Sequence, residues 1–327
     1  MSLISAPPAT LLTRLDALSR GGLRRNAPLA PYASFRIGGP ADYLVIVQRE
    51  ADMIAALDAL HEADVAYLLL GGGSNMLISD LGVRGVALLN QCKGMRWPEA
   101  EGAGPVEITV EGGAPLAGFA RESIRRGLAG LSWAVSIPGT VGGAVVGNAG
   151  AHGGAIASIF VSAQVWRAGR IEIWGLEEMD FAYRRSRLKT LASTEAQPPI
   201  LLTATFRLRP DVGGRAADDA ERYIAHRRRT QPTDKSAGSI FKNPPGDYAG
   251  RLIEAAGLKG RCVGDACISE KHANFIVNQG RATAADVLAL MNLARREVWQ
   301  RFHILLEPEI LFVGDWPENE LLSAPVS

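Results

Sequence analysis

Two glycine-rich stretches carry the clearest chemical signal in the sequence. Gly71-Gly72-Gly73-Ser74-Asn75 directly follows the apolar run Val65–Leu70, and Leu131–Gly154 holds seven glycines with few charges. Glycine takes left-handed backbone at no steric cost and lets a ligand or another backbone come close. Successive backbone N–H groups in such a loop form a nest for an anion, and Ser74 and Asn75 add side-chain donors. A diphosphate suits that nest; read alone, the loop is equally an ordinary glycine turn. The dinucleotide fingerprint G-x-G-x-x-G must open a helix, whereas Met76 stands at its last position and Met76 to Ile78 reads as a strand. The longer stretch keeps Val135, Ile137, Val141, Val145 and Val146 among its glycines, so it is not a flexible polar linker. It reads as buried backbone without a helix-forming run, laid against something flat and polar at one end. A nucleotide cofactor is our candidate for that surface.

The groups able to handle protons and charge lie far apart. Ser239 falls in Ala237 to Pro245, Arg184 in Phe181 to Arg187, and Glu307 and Glu309 in Leu306 to Gly314. On spacing alone Ser239 is a turn or cap residue, and Arg184, Arg185 and Arg187 are solvated surface cations. Glu307 and Glu309, two apart, share a face if their segment is a strand. Arg227 to Arg229 suits a solvated helix end, where cations complement the dipole, as well as a phosphate contact. The histidines at 61, 152, 226 and 303 show no metal-ligand spacing, and no metal site is assigned.

The chain has 327 residues, enough for about two domains. With 47% apolar and 21% charged residues it can bury full cores. A net charge of +1 recruits neither nucleic acid nor an acidic membrane globally. Cys92, Cys262 and Cys267 match no zinc spacing, and their odd number argues against a disulfide framework. Reduced thiols in a cytoplasmic protein are the expectation. The first twenty residues lack the pattern of a signal peptide, and no apolar run reaches the ~18 residues of a membrane span. No nucleic-acid, membrane or obligate protein partner is inferred.

The elements that must position these groups follow from periodicity and punctuation. Leu11, Leu12, Leu15 and Leu18 mark a helix stopped by Gly21-Gly22, and Ile54, Leu57 and Leu60 mark a second. Strands are expected at Tyr43 to Val47, Val65 to Leu70 and Met76 to Ile78, with short strands between Val86 and Val110. Leu116 to Arg126 reads as a helix ended by Gly127. Val161 to Arg167 and Arg170 to Trp174 form a hairpin turned at Ala168-Gly169. A strand at Ile200 to Leu208 precedes Pro210 to Arg215, the best candidate boundary. Beyond it come a polar helix at Ala216 to Arg229, a short helix at Arg251 to Ala256 and a strand at Phe275 to Asn278. Thr283 and Asp286 cap a last helix with Val287, Leu290, Ala294, Val298 and Phe302 on one face.

Four blocks, taken together, resemble the UDP-N-acetylenolpyruvoylglucosamine reductase family. They are SFRIGGPADYLV with LLLGGGSNMLISD, IPGTVGGAVVGNAGAHGG, GSIFKNP with LIEAAGLKG, and KHANFIVN with LEPE. The resemblance runs from about Ser34 to Gly314 and rests on the order and spacing of the blocks. It implies an α+β chain: a two-subdomain FAD-binding fold of the vanillyl-alcohol-oxidase-like (PCMH) type, plus a C-terminal α+β substrate-binding domain. The expected divisions are a lead-in over 1–33, the FAD-binding domain over 34–212 (parts at about 34–95 and 96–212), the substrate domain over 213–315 and a tail over 316–327. No tyrosine-bearing insertion is evident in the third domain, so the shorter of the family's two types is expected.

The resemblance also implies dissociable FAD, because Ser74 stands where relatives in the wider flavin fold carry an attaching histidine. It assigns Gly71, Gly72, Gly73, Ser74 and Asn75 to the flavin pyrophosphate. Arg36, Ile137, Pro138, Gly139, Thr140, Gly143 and Asn148 are the flavin's other contacts. The implied reaction uses NADPH to reduce the flavin, which passes hydride to the β-carbon of an enolpyruvyl ether on a UDP-sugar. Negative charge then develops on the α-carbon, which calls for a cation and a proton donor. By family position Ser239 is the donor, Arg184 holds the anion, and Glu309 rather than Glu307 polarises it. Tyr183, Lys242 and Asn243 are substrate contacts, and His272 is a weaker candidate better read as structural. Two departures are Ser136 where many relatives have glycine, and Leu311 where arginine is common. Two other readings keep flavin binding: an oxidase of the same superfamily, which needs no α-carbon proton donor, and a non-catalytic flavin-binding module.

Overall fold

The computed structural model describes residues 7–98, 104–195 and 197–317; most of the expected tail lies outside them. The chain divides into two compact units, each assembled from separated pieces. The first comprises Met1–Arg25, Tyr43–Gly72 and Gly85–His226; the second comprises Asn26–Asp42, Gly73–Arg84 and Arg227–Ser327.

In the first unit an antiparallel sheet runs in the order Arg170–Trp174, Phe160–Arg167, Ile200–Pro210, Val106–Glu111 and Met95–Arg96, with Leu128–Ala129 added to the long central strand. The hairpin turns at Ala168 and Gly169, with φ 47° and 74°, the left-handed pair that matches the twist of the flanking strands. Between Gln164↔Thr203 and Val165↔Leu201 the register slips, which leaves Leu202 as an extra residue. A bulge of this kind re-aims side chains. Before it, Ile200 and Leu202 enter a core with Trp166, Met53, Leu57, Leu60 and Leu15. After it, Ala204, Phe206 and Leu208 enter another with Ile108, Val110, Phe119, Val141 and Val145. One strand thus serves two cores. The parallel strands Tyr67–Leu70 and Val83–Asn90 belong to a separate four-stranded sheet, and the helix Glu50–Glu62 contributes to the first of these cores.

Two expectations are corrected here. Inside the glycine stretch, Val141–Val146 is a helix, capped by Thr140 Oγ1, which accepts the Gly143 N–H at 3.3 Å. Packing overrides the poor propensity: Val141, Ala144 and Val145 are buried, and a Cβ on Gly142 would lie 2.9 Å from the Gly112 carbonyl. The cysteines are not all reduced either. Cys262 and Cys267 face each other across the hairpin of Cys262–Val263 and Ala266–Ile268, with Cα atoms 4.1 Å apart, and form a disulfide. The odd count failed as an argument because the third cysteine, Cys92, is simply buried, and burial pushes its thiol up to about 12. The strand expected to stop at Leu208 continues to Pro210, into the segment read as a boundary.

The second unit packs the helix Ala284–Phe302 against the three-stranded sheet ending in Ile276–Asn278 and the helix Ala249–Ala255. Val287, Leu290, Met291, Ala294 and Val298 meet Leu252, Ile253, Phe35, Ile37 and Leu77 in one core. The expected capping box is present: Thr283 and Asp286 exchange backbone and side-chain bonds of 2.9 and 3.1 Å. Asp80, distant in sequence, accepts the N–H groups of Ala284 and Ala285 at 2.9 and 3.1 Å. Strand Leu311–Val313 runs parallel to Met76–Ile78. Among the described residues no helix is long and apolar enough to cross a membrane.

Removing a helix-end acceptor typically costs about 0.5–2 kcal/mol. Asp80→Ala is therefore expected to lower the urea midpoint, measured by circular dichroism, while Asp80→Asn retains much of it.

Candidate active site

In the first unit the strand Tyr67–Leu70 ends on Gly71 and Gly72, which press against a second glycine turn. A Cβ on Gly72 would lie 2.8 Å from the Gly139 Cα, and one on Gly71 would lie 2.7 Å from Thr140 Oγ1. A side chain at either position would force its neighbour to shift. Gly139 is itself tied down, its carbonyl accepting the Leu116 N–H at 3.1 Å. Ile137, Gly139 and Thr140 are half-buried, while Pro138 and Gly143 are exposed. The first N–H groups of the helix Val141–Val146 are spent on the Ala114 and Gly112 carbonyls and on Thr140 Oγ1, so it is the two touching loops of bare backbone that offer the close peptide surface a flavin's diphosphate requires. The residues present fit FAD.

The same unit holds Arg184. Ala182 and Arg185 exchange backbone hydrogen bonds of 3.0 and 3.1 Å, which makes Tyr183-Arg184 a two-residue turn. Arg184 occupies its third position at φ 56°. Its Nη2 donates to the Gly150 carbonyl at 3.2 Å, and its guanidinium lies 5.3 Å from the ring centre of Tyr183, which is 60% exposed. Lys189 Nζ donates to the Arg184 carbonyl at 3.1 Å. Asn148, expected among the cofactor's contacts, donates from Nδ2 to the Ala182 carbonyl at 2.9 Å and accepts the Ala157 N–H at 3.1 Å. The neighbouring arginines point elsewhere. Arg185 pairs with Asp180 at 3.1 Å, and Arg187 lies over Trp174.

The second unit brings the serine segment and the LEPE segment together. Phe241 bridges Pro308 antiparallel; the Glu309 N–H donates to the Ile240 carbonyl at 2.8 Å, and the Lys242 N–H to the Glu307 carbonyl at 2.9 Å. Ser239 sits half-buried between Gly238, at φ 76°, and the buried Ile240. Neither segment is a regular strand, so alternation does not choose between the two glutamates. Glu307 is exposed and pairs with Lys242 Nζ at 3.1 Å, whereas Glu309 is half-buried. Asn75 braces Glu309: its Nδ2 donates to the Glu309 carbonyl at 3.1 Å, and its own carbonyl accepts the Leu311 N–H at 2.9 Å.

Gly73 needs its left-handed φ of 56°, and a Cβ there would meet the Tyr32 carbonyl at 2.2 Å. The following Ser74 is half-buried, and Asn243 uses its Oδ1 on the Ala249 N–H at 3.1 Å. Arg36 is exposed at φ 57° and donates to the Pro31 carbonyl. Sequence reasoning assigned no role to Asn274, which takes the Phe241 N–H on Oδ1 at 2.9 Å and returns Nδ2 to the Phe241 carbonyl at 2.8 Å. Its own carbonyl takes the Ile240 N–H at 2.9 Å. The only signal was its place in the KHANF block. His272 Nδ1 accepts the Asn274 N–H at 3.2 Å, and burial lowers its pKa.

The first unit holds two touching glycine turns and a braced guanidinium, and the second holds the serine segment bonded to the braced LEPE segment. The comparisons with known proteins agree with that chemistry. Residues 231–313 match the family model of the UDP-N-acetylenolpyruvoylglucosamine reductase C-terminal domain, and residues 41–169 match that of an FAD binding domain. UDP-N-acetylenolpyruvoylglucosamine reductase 2 of Symbiobacterium thermophilum is 46% identical over 93% of this chain and 97% of its own length. The reductase of Chloroflexus aggregans is 43% identical over 88% and 96%. Among solved structures, the reductase of Thermus caldophilus superposes with a TM-score of 0.71 at 34% identity, covering 89% of this chain and 98% of its own. The fold is thus the two-part FAD-binding type with a C-terminal α+β domain, and FAD is the cofactor. With near-complete coverage at such identity, the chain belongs to the UDP-N-acetylenolpyruvoylglucosamine reductase family.

Proposed function

We infer that Arg184, Ser239 and Glu309 carry the reaction of this reductase, the NADPH-dependent conversion of UDP-N-acetylglucosamine enolpyruvate to UDP-N-acetylmuramate in peptidoglycan precursor synthesis. Gly71, Gly72, Gly73 and Ser74 would hold the diphosphate of FAD, and Ile137 to Thr140 with Gly143 and Arg36 the rest; bound there, FAD would supply the hydride chemistry between NADPH and the β-carbon of the enol ether.

The protein's own task is to manage the charge that then develops at the α-carbon beside a carboxylate. The Arg184 guanidinium, planar and permanently charged, grips the carboxylate and offsets the charge. The Ser239 hydroxyl gives its proton to the α-carbon: the O–H bond breaks as the new C–H bond forms. Serine is a weak acid, but an enolate is a strong base, so position and a polarised setting suffice. Glu309 polarises the same anion together with the arginine. Tyr183, Lys242 and Asn243 serve the UDP-sugar. A cytoplasmic location fits the use of NADPH and a nucleotide sugar.

The observation that most supports this reading is the direct bond from the Glu309 N–H to the Ile240 carbonyl, one residue from Ser239. Asn75 fastens the Glu309 side of that frame, and Asn75 continues the GGGS loop. An oxidase has no need of such a serine.

Two measurements test it. Gly72→Val should yield protein that folds but loses its yellow flavin on gel filtration, because the side chain displaces Gly139; full retention of FAD contradicts the cradle. Ser239→Ala should leave flavin reduction by NADPH near its original rate in stopped flow. Reoxidation by the enol ether should fall by ~10²–10⁴, the usual worth of a placed general acid, and Glu309→Gln should slow the same half. Equal damage to both halves, or to neither, rules out these roles.

A further inference from the structure

We propose that Asn148 is a positioning residue, its carboxamide holding the Tyr183-Arg184 turn in the conformation that presents the Arg184 guanidinium; the proposal rests on the assignment of Arg184 to the substrate carboxylate. A turn closed by the Arg185 N–H on the Ala182 carbonyl, with positive φ at its third residue, calls for glycine or asparagine there. This chain places arginine, at φ 56°. Left-handed backbone is unfavourable for a side chain of that size, and strain of this kind persists only where the surroundings over-determine it.

The surroundings here are specific. The Ala182 carbonyl that closes the turn at 3.1 Å also accepts Asn148 Nδ2 at 2.9 Å. The other end of the same amide is held by the Ala157 N–H at 3.1 Å, so the strut cannot swing. Two residues on, the Gly150 carbonyl takes Arg184 Nη2 at 3.2 Å. Gly150 is fixed in turn by the small hairpin with Gly154–Ala155, where a Cβ would lie 2.6 Å from the Gly154 carbonyl. Asn148 to Gly150 therefore grips the turn twice, once on its backbone and once on the guanidinium. Asn148 itself stands at φ 41°, a region that asparagine tolerates better than most residues. The same peptide follows the helix Val141–Val146, whose start forms part of the cofactor cradle. One continuous segment therefore serves cofactor and arginine together.

The test is a double-mutant cycle on the full-length holoenzyme with Asn148→Gly, Arg184→Gln and both. Glycine keeps the left-handed backbone without strain, so Asn148→Gly removes the amide alone. The expected result is a reoxidation by enol ether slowed by a factor on the order of ten to a hundred, the scale of a displaced catalytic group. With FAD saturating, reoxidation by the enol ether should fall by a larger factor than flavin reduction by NADPH, the half that does not use Arg184. In the Arg184→Gln background the second change should add nothing.

If Asn148→Gly slows Arg184→Gln by the same factor again, or slows both half-reactions alike, the amide does not act through the arginine and the proposal is overturned. If Arg184→Gln is slow and Asn148→Gly is not, only this proposal falls. If Arg184→Gln reoxidises normally, the role of Arg184 falls and takes the proposal with it. Should Asn148→Gly fail to fold, Asn148→Asp enters the same cycle. It keeps an acceptor for the Ala157 N–H and sets a carboxylate against the Ala182 carbonyl.

Discussion

Backbone polar groups outside helices and sheets still require partners when buried, and in this protein asparagine side chains meet that requirement where it matters. Arg184, Ser239 and Glu309 all lie on irregular backbone. Asn148 bonds the carbonyl at the head of the Arg184 turn, Asn274 bonds both sides of Phe241 just past Ser239, and Asn75 bonds the Glu309 carbonyl. A carboxamide suits the task because it donates and accepts from one rigid plane. Irregular segments can aim a side chain in directions that helices and strands do not offer, and the amides keep them as fixed as regular structure.

That arrangement explains which charged residues remain with the chemistry. Arg185 goes to Asp180, an exposed pair worth little to stability, and Glu307 is taken up by the half-buried Lys242. Such pairs still orient side chains away from their neighbours at 184 and 309. Glycine performs the complementary service at the cradle. With Gly72 against Gly139, two backbones touch directly, and what remains exposed is peptide rather than side chain.

Much of this was legible in the sequence wherever the cause is local. The Thr283–Asp286 box, the Ala168-Gly169 turn, the Met76–Ile78 strand after the glycine loop and the apolar face of the last helix all follow from short-range rules. What stayed hidden depends on partners far along the chain. Asn75 and Glu309 are 234 residues apart, Asn148 and Ala182 are 34 apart, and Phe241 and Asn274 are 33 apart. No periodicity reports such pairs, so the bracing bonds of Asn75 and Asn148 were not foreseen and Asn274 was passed over. The helix at Val141–Val146 was missed because tertiary packing, not propensity, forms it. The Cys262–Cys267 bond was missed because counting cysteines ignores which of them a hairpin sets face to face. The choice of Ser239 and Glu309 over neighbouring candidates came from family resemblance alone.

The most direct measurement of this account is hydrogen–deuterium exchange by mass spectrometry on the apo-protein, following peptides over 182–185, 239–243 and 307–311. Bonded by the asparagines and by each other, the N–H groups of Arg185, Ile240, Phe241, Lys242, Glu309 and Leu311 should exchange as slowly as those of neighbouring strands. Exchange as fast as the exposed loop at 211–214 would contradict the claim that these segments are held before any ligand arrives.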